Sequence, residues 1–154
     1  MNINFRRLVI SLAVSLGSGL IGWFLTKDSM AQYSQMYKPL LAPPGWLFPI
    51  VWTILYIIMG VAAYMVYETG DDRRENALTL HICQLLATIG WTLLFFGFNA
   101  YVFAFVWLVV LWVLVFFMIK QFSAIKPIAG KILIPYILWI TFAGYLNLAI
   151  AIHG

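Results

Sequence analysis

The sequence predicts an all-α membrane protein, a bundle of five transmembrane helices with the N-terminus in the cytoplasm and the C-terminus outside. Three observations predict it. The 154 residues are 64% hydrophobic and only 9% charged, where a soluble domain carries roughly 25% charged residues. Five apolar stretches, about 8–26, 45–67, 77–97, 100–119 and 132–152, each approach the ~20 residues that cross a ~30 Å hydrocarbon core. With five spans, Arg6, Arg7, Arg73, Arg74, Lys120, Lys126 and Lys131 fall on one side and Lys27 and Lys38 on the other. The positive-inside rule then sets the orientation, whereas four or six spans would scramble this split. A β-barrel would alternate polar and apolar residues, and 103–119 shows no alternation. The whole chain, 1–154, reads as one domain.

In the first span, Arg6-Arg7 and the apolar run that follows imitate a signal peptide. The run is long for an h-region, and Lys27-Asp28 follows it without a small-residue cleavage site, so it reads as an uncleaved span. Ser11, Ser15, Ser18, Gly19 and Gly22 let another helix approach closely, either within the bundle or across a dimer interface. The connection 27–44 holds Tyr33, Tyr37, Pro39, Pro43 and Pro44. Its prolines limit the entropy lost on ordering, which favours a structured lid over a passive tether.

The second span carries Trp52, Tyr56, Gly60 and Tyr64 four residues apart, on one helix face. Gly70 is the expected stop, and Asp72 or Asn76 the expected cap of the third span. That span places His81, Gln84, Thr88, Trp91 and Phe95 at i, i+3, i+7, i+10 and i+14. A polar stripe inside a membrane must face protein or a wet cavity. Interhelical hydrogen bonding and ligand contact both remain open for Gln84 and Thr88. His81 reads as interfacial, and Cys83 as a small packed residue. In the very apolar fourth span, Trp107 and Trp112 suit lipid contact or packing. Residues 120–131 form a basic turn. The fifth span repeats the four-residue spacing with Pro135, Trp139, Ala143 and Asn147. Trp52 and Trp139 sit too deep for pure interfacial belt residues, so the two stripes point to an aromatic-lined cavity inside the bundle.

Several chemistries are excluded. Asp28, Glu68, Asp71, Asp72 and Glu75 all lie outside the spans, so no intramembrane carboxylate serves a proton relay or cation coupling. One cysteine makes no internal disulfide and no multi-thiolate metal site. No phosphate-binding glycine loop or His-rich metal signature occurs. The net charge of +4 sits at the membrane edges, so the partner is membrane lipid and not nucleic acid.

The chain resembles the TspO/MBR family, which includes the tryptophan-rich sensory proteins and the translocator protein, or peripheral benzodiazepine receptor. The resemblance rests on Lys38-Pro39, Pro43-Pro44, Phe48 and Val51-Trp52-Thr53-Ile54-Leu55-Tyr56 with Met59-Gly60. It continues through Gln84-Leu85, Trp91 and Leu94-Phe95-Phe96-Gly97, then Pro135-Tyr136, Trp139, Phe142-Ala143 and Leu146-Asn147. It covers nearly the whole chain. It implies a five-helix bundle, often dimeric, with a pocket under the loop after the first helix. It also implies porphyrin binding (protoporphyrin IX or haem as ligand, no obligatory cofactor), a place in stress signalling, and sterol or drug binding as in the animal relatives. Tyr33, Trp52, Trp139 and Ala143 take the pocket positions by motif. Trp52 and Trp139 match the pair tied to light- and oxygen-dependent porphyrin breakdown in some bacterial members. With Pro43, Tyr56, Gln84, Thr88, Trp91, Phe95 and Asn147 added from the stripes, these make the expected ligand-binding set, with no metal ligand. The chain departs from the family pattern at Thr88, where Asn is familiar, at Trp107 in place of an acid, and at Gln32 in place of Trp. No sterol motif of the Tyr-centred kind follows Asn147. The default location is a bacterial cytoplasmic membrane.

Overall fold

The computed structural model describes residues 3–27 and 38–153; Tyr33 and most of the expected lid lie outside them. Among the described residues, six α-helices follow in order: α1 (Phe5–Thr26), α2 (Leu47–Glu68), α3 (Arg74–Thr92), α4 (Tyr101–Ile125), the short α5 (Pro127–Lys131) and α6 (Ile134–His153). A π-helical turn, Leu93–Gly97, extends α3. No strand occurs among the described residues. Five helices, with α5 and α6 taken together as the fifth, are long and apolar enough to cross a membrane. The expected basic turn 120–131 is mostly helical, since α4 runs on to Ile125 and Pro127 opens α5, a position where its missing N–H costs nothing.

The helices close into a ring. α1 packs on α2 and α3, and α4 packs on α3 and α6. α2 and α6 meet through the ring pairs Phe48–Trp139 and Trp52–Tyr136. The small residues of α1 serve this packing inside the chain. Ser11 and Ser15 hydroxyls donate to the carbonyls of Gly60 and Tyr56, at 2.7 and 2.6 Å. A Cβ on Gly60 would fall 2.9 Å from Leu12 Cδ2 and 3.1 Å from its Cα, so that glycine permits the close approach. The stripe Tyr56-Gly60-Tyr64 therefore faces α1, and Tyr64 Oη accepts from the Asn4 backbone N–H at 2.8 Å.

One end of the bundle gathers the start of α1, the α2–α3 turn and the α4–α6 connection, with seven of the nine Lys and Arg residues. This basic end is cross-tied: Arg7 pairs with Glu68 at 2.9 Å, and Arg7 and Arg74 both lie over the Tyr67 ring. Gly70 takes the left-handed conformation (φ +68°) expected at the stop of α2. Neither Asp72 nor Asn76 caps α3. Arg73 occupies the cap with no side-chain bond, and Asp71 organises the turn by accepting from the Arg73 and Arg74 backbone N–H groups. The Arg73 guanidinium bonds the same carboxylate and holds it down at about 2.

One other expectation is corrected. Cys83 is exposed, because it lies ~200° around α3 from His81 at ~100° per residue. His81, near the basic end of α3, turns inward and is 3% exposed. α3 begins at Arg74, earlier than the apolar run suggests, which puts His81 about two turns inside the helix.

Candidate functional site

The opposite end, where α1 finishes and α2 begins, is built differently. A cavity of about 1050 Å³ lies between α1, α2, α3 and α6, at the upper end of the ~300–1,000 Å³ typical of ligand pockets. Gly19, Gly22 and Leu16 of α1 form one wall, and Phe48, Trp52 and Tyr56 of α2 the next. Trp91, Phe95 and Phe96 come from α3 and its π turn, and Ala143, Leu146, Asn147 and Ile150 from α6. Small residues on α1 leave room that aromatic rings on the facing helices line. At Gly19 an added Cβ would stand 2.5 Å from Tyr56 Cε2, so the Tyr56 ring rests directly on the α1 backbone.

The rings form a continuous surface. Trp52 lies 5.7 Å from Tyr56 and 6.5 Å from Trp91, and Trp91 stacks on Phe95 at 5.4 Å. These separations fall within the 4.5–7 Å range of favourable aromatic pairs. The π turn adds a residue to α3, and Phe95 and Phe96 consequently both face the cavity, 4.8 Å apart. Asn147 fixes the shelf in place. Its Oδ1 accepts from Trp91 Nε1 at 3.0 Å, and its amide donates to the Tyr101 carbonyl at 2.8 Å. One side chain thus ties α6 to α3 and to the first turn of α4.

The pattern of the TspO/MBR family matches residues 9–153. The chain belongs to the TspO/MBR family. It is 35% identical over 153 residues to the tryptophan-rich protein TspO of Chlorobaculum tepidum, covering 97% of each chain. It is 31% identical to the tryptophan-rich sensory protein of Cereibacter sphaeroides, covering 96% of this chain and 90% of the relative. It is also 31% identical to the translocator protein of Bos taurus, at 89% and 83%. Five apolar helices and this membership make it an integral membrane protein.

The expected ligand-binding residues among those described separate into four places. Trp52, Tyr56, Trp91, Phe95, Ala143 and Asn147 come together around the cavity. Gln84 and Thr88 lie away from its lining, in a buried network towards the basic end. Tyr136 Oη donates to Gln84 Oε1 at 2.6 Å and lies 3.3 Å from Thr88 Oγ1, and Gln84 Nε2 lies 3.2 Å from His81 Nδ1. Pro43 is buried in the connection before α2 but is not among the lining residues. Trp139 sits in a separate apolar groove of about 430 Å³ between α2 and α6, with Val51, Ile54, Leu138 and Phe142. Its Nε1–H is buried without an acceptor among the described residues.

Helical arithmetic explains the separation. Four residues advance ~400°, so each step of four leads the face by ~40°. Trp139 and Asn147 therefore stand ~80° apart, and one faces the groove while the other faces the cavity. Tyr136, eleven residues before Asn147, differs by only ~20° and is fully buried. An eleven-residue spacing was the signal that could have found it. Phe48 and Gly19 also belong to the site. Phe48 lies one four-residue step before Trp52 and Gly19 one step after Ser15, so each extends a stripe already present in the sequence.

Proposed function

We propose that this protein binds a tetrapyrrole in the cavity between α1, α2, α3 and α6, with the macrocycle against Trp52 and Trp91. One observation carries the reading: a ligand-sized apolar cavity whose walls are indole and phenyl rings supplied by two facing helices. A flat π-system gains from such walls through shape and quadrupole matching, and from burial at roughly 25 cal/mol per Å². Stacking and burial against these rings would hold the ligand, protoporphyrin IX or haem, since no His, Cys or Met lines the cavity among the described residues. The orientation follows the positive-inside rule, with the basic end in the cytoplasm of a bacterial cell. A light-driven breakdown of the porphyrin would take molecular oxygen as its oxidant and the photoexcited macrocycle as sensitiser, with Trp52 and Trp91 the indoles placed against it.

The test is a titration of purified protein with protoporphyrin IX in the dark, followed by illumination in air. Saturable perturbation of the porphyrin absorption, weakened in Trp52→Ala, is the expected result. Bleaching that slows in Trp52→Phe supports the photochemistry. Binding without protein-dependent bleaching leaves a carrier or receptor. Absence of saturable binding removes the tetrapyrrole reading.

A further inference from the structure

The approach to α2 contains a strained turn. The Ala42 backbone N–H donates to the Pro39 carbonyl at 3.2 Å, which puts Leu40 and Leu41 at the tip. Leu41 has φ +74°, in the left-handed region that turns normally give to Gly or Asn. The other non-glycine residue at positive φ among the described residues is Asn99, a type that tolerates it. Neither leucine is used for packing inside the protein. Leu40 is 81% exposed and Leu41 74%, and Trp46 nearby is 67% exposed, whereas Pro39 and Pro43, on either side of the tip, are buried. The tip nevertheless lies beside a membrane-spanning helix. The Tyr145 hydroxyl donates to the Leu40 carbonyl. Tyr145 belongs to the fifth span, seven residues before the last apolar residue, Ile152, or ~10 Å along the helix at 1.5 Å per residue. Irregular backbone at such a depth needs its polar groups met. Here Tyr145 meets the Leu40 carbonyl and Ala42 meets that of Pro39, while Pro39, Pro43 and Pro44 bring no N–H.

We propose that the Leu40-Leu41 turn is a lipid-docking element, inserted at the acyl-chain boundary of the leaflet at the loop end and pinned there by Tyr145. Its partner is the apolar layer of the bilayer itself. In water, two exposed leucines and a strained backbone would both be unfavourable. Among acyl chains, burial of the two side chains offsets the strain, and Tyr145 and Trp46 are the residue types that sit at such a boundary. Lys38 and Gly45, on either side of this segment, both line the cavity. The turn therefore ties the rim of the cavity to the bilayer, whatever ligand the cavity takes.

The test uses the full chain in nanodiscs of zwitterionic lipid, with Cys83→Ala as the background. A nitroxide is attached through Leu40→Cys or Leu41→Cys, and its collisions with oxygen and with a water-soluble nickel chelate are measured. Val109→Cys, exposed along α4, marks the acyl layer, and Glu75→Cys, exposed at the start of α3, marks the aqueous phase. The labels at 40 and 41 are expected to meet oxygen and exclude nickel as the label at 109 does. Nickel collisions at the level of the label at 75 place the turn in water and overturn the proposal. Shielding from both reagents places it against protein, another segment or a second copy, and overturns it equally. Leu41→Asn supplies a second readout, because Asn suits the left-handed conformation and takes away the apolar tip. In a turn facing water this substitution raises the thermal midpoint by relieving strain. In the docked turn it lowers the midpoint in nanodiscs, and a rise or no change overturns the proposal.

Discussion

The two ends of this bundle use the same residue types to opposite effect. Towards the basic end, α2, α3, α4 and α6 close on Met59, Met118, Phe122, Leu133 and Tyr136, each with no exposure at all. The polar residues there bond one another: Tyr136, Gln84, Thr88 and His81 form a single network. At the loop end, aromatic rings of similar size stand around a cavity instead of filling it. Gly19 and Gly22 on α1 face Tyr56 and Thr92, and small residues opposite large rings leave space where large residues opposite large rings do not. The lesson is one of division of labour. One half supplies rigidity, and the other half is free to keep a concave wall.

That division can be broken first where packing is tightest. In Gly130→Ala the new Cβ would sit 1.7 Å from Ser123 Oγ and 2.9 Å from Ser123 Cα. Overpacking of this kind costs about 1–3 kcal/mol or more. Thermal unfolding in detergent should show a large loss, while the porphyrin affinity of the folded fraction stays at the parental value. A fall in affinity without a fall in stability would mean that the two halves are not separate.

The next largest effect belongs to the loop end. Trp52→Ala removes the indole that touches both Tyr56 and Trp91. Porphyrin affinity should drop about tenfold or more, as the loss of one aromatic contact and its buried area requires. Trp139→Phe removes a buried N–H that has no acceptor among the described residues and part of the indole's packing against Phe48 and Phe142. It should leave affinity within about twofold and lower stability by about 1–2 kcal/mol at most, the lost packing being partly offset by the removed polar group. The reverse ranking would place the ligand in the groove between α2 and α6.

Tyr136→Phe sharpens the contrast. It leaves Gln84 Oε1 without its 2.6 Å donor, a loss of about 1–2 kcal/mol from an interhelical bond in a membrane protein. Adding Gln84→Leu should recover part of that loss, a non-additivity that a double-mutant cycle measures. The smallest effect lies in the α2–α3 turn. Asp71 titrates at about 2 because Arg73 bonds its carboxylate, below the ordinary ~3.9. Its stabilising effect is complete above pH ~4 and is lost as the pH falls through about 2. Asp71→Asn should flatten the acid limb of the stability profile over that window, with a small loss of stability at neutral pH and none below about pH 2, where the parent has already lost the interaction.

Much of this was legible in the sequence. Hydropathy and the charge split gave five spans, because the bilayer imposes both length and loop charge. The α3 stripe from His81 to Phe95 was legible because its spacing of three, four, three and four keeps one face, and all five residues are buried. The α6 stripe was misleading because a pure four-residue spacing turns steadily. It assigned Trp139 and Asn147 to one face, where the structure separates them. The caps of α3 were hidden because Asp71, one residue before Asp72, takes the turn through backbone and side chain together. Phe48 extends the Trp52-Tyr56 stripe and Gly19 the Ser11-Ser15 stripe by one four-residue step each. That these stripes meet around a cavity, with Lys38 joining from the connection before α2, depends on the mutual placement of elements, which no single-helix pattern contains.

The central claim is that the loop-end cavity is where the porphyrin binds, and filling it tests this most directly. Ala143 is buried in the cavity wall and Ile54 is exposed in the groove. Protoporphyrin IX should be titrated into Ala143→Phe and Ile54→Phe, with thermal unfolding showing that both fold. The account predicts that Ala143→Phe abolishes saturable binding and that Ile54→Phe binds as the parent does. Parental affinity in a folded Ala143→Phe protein would contradict it.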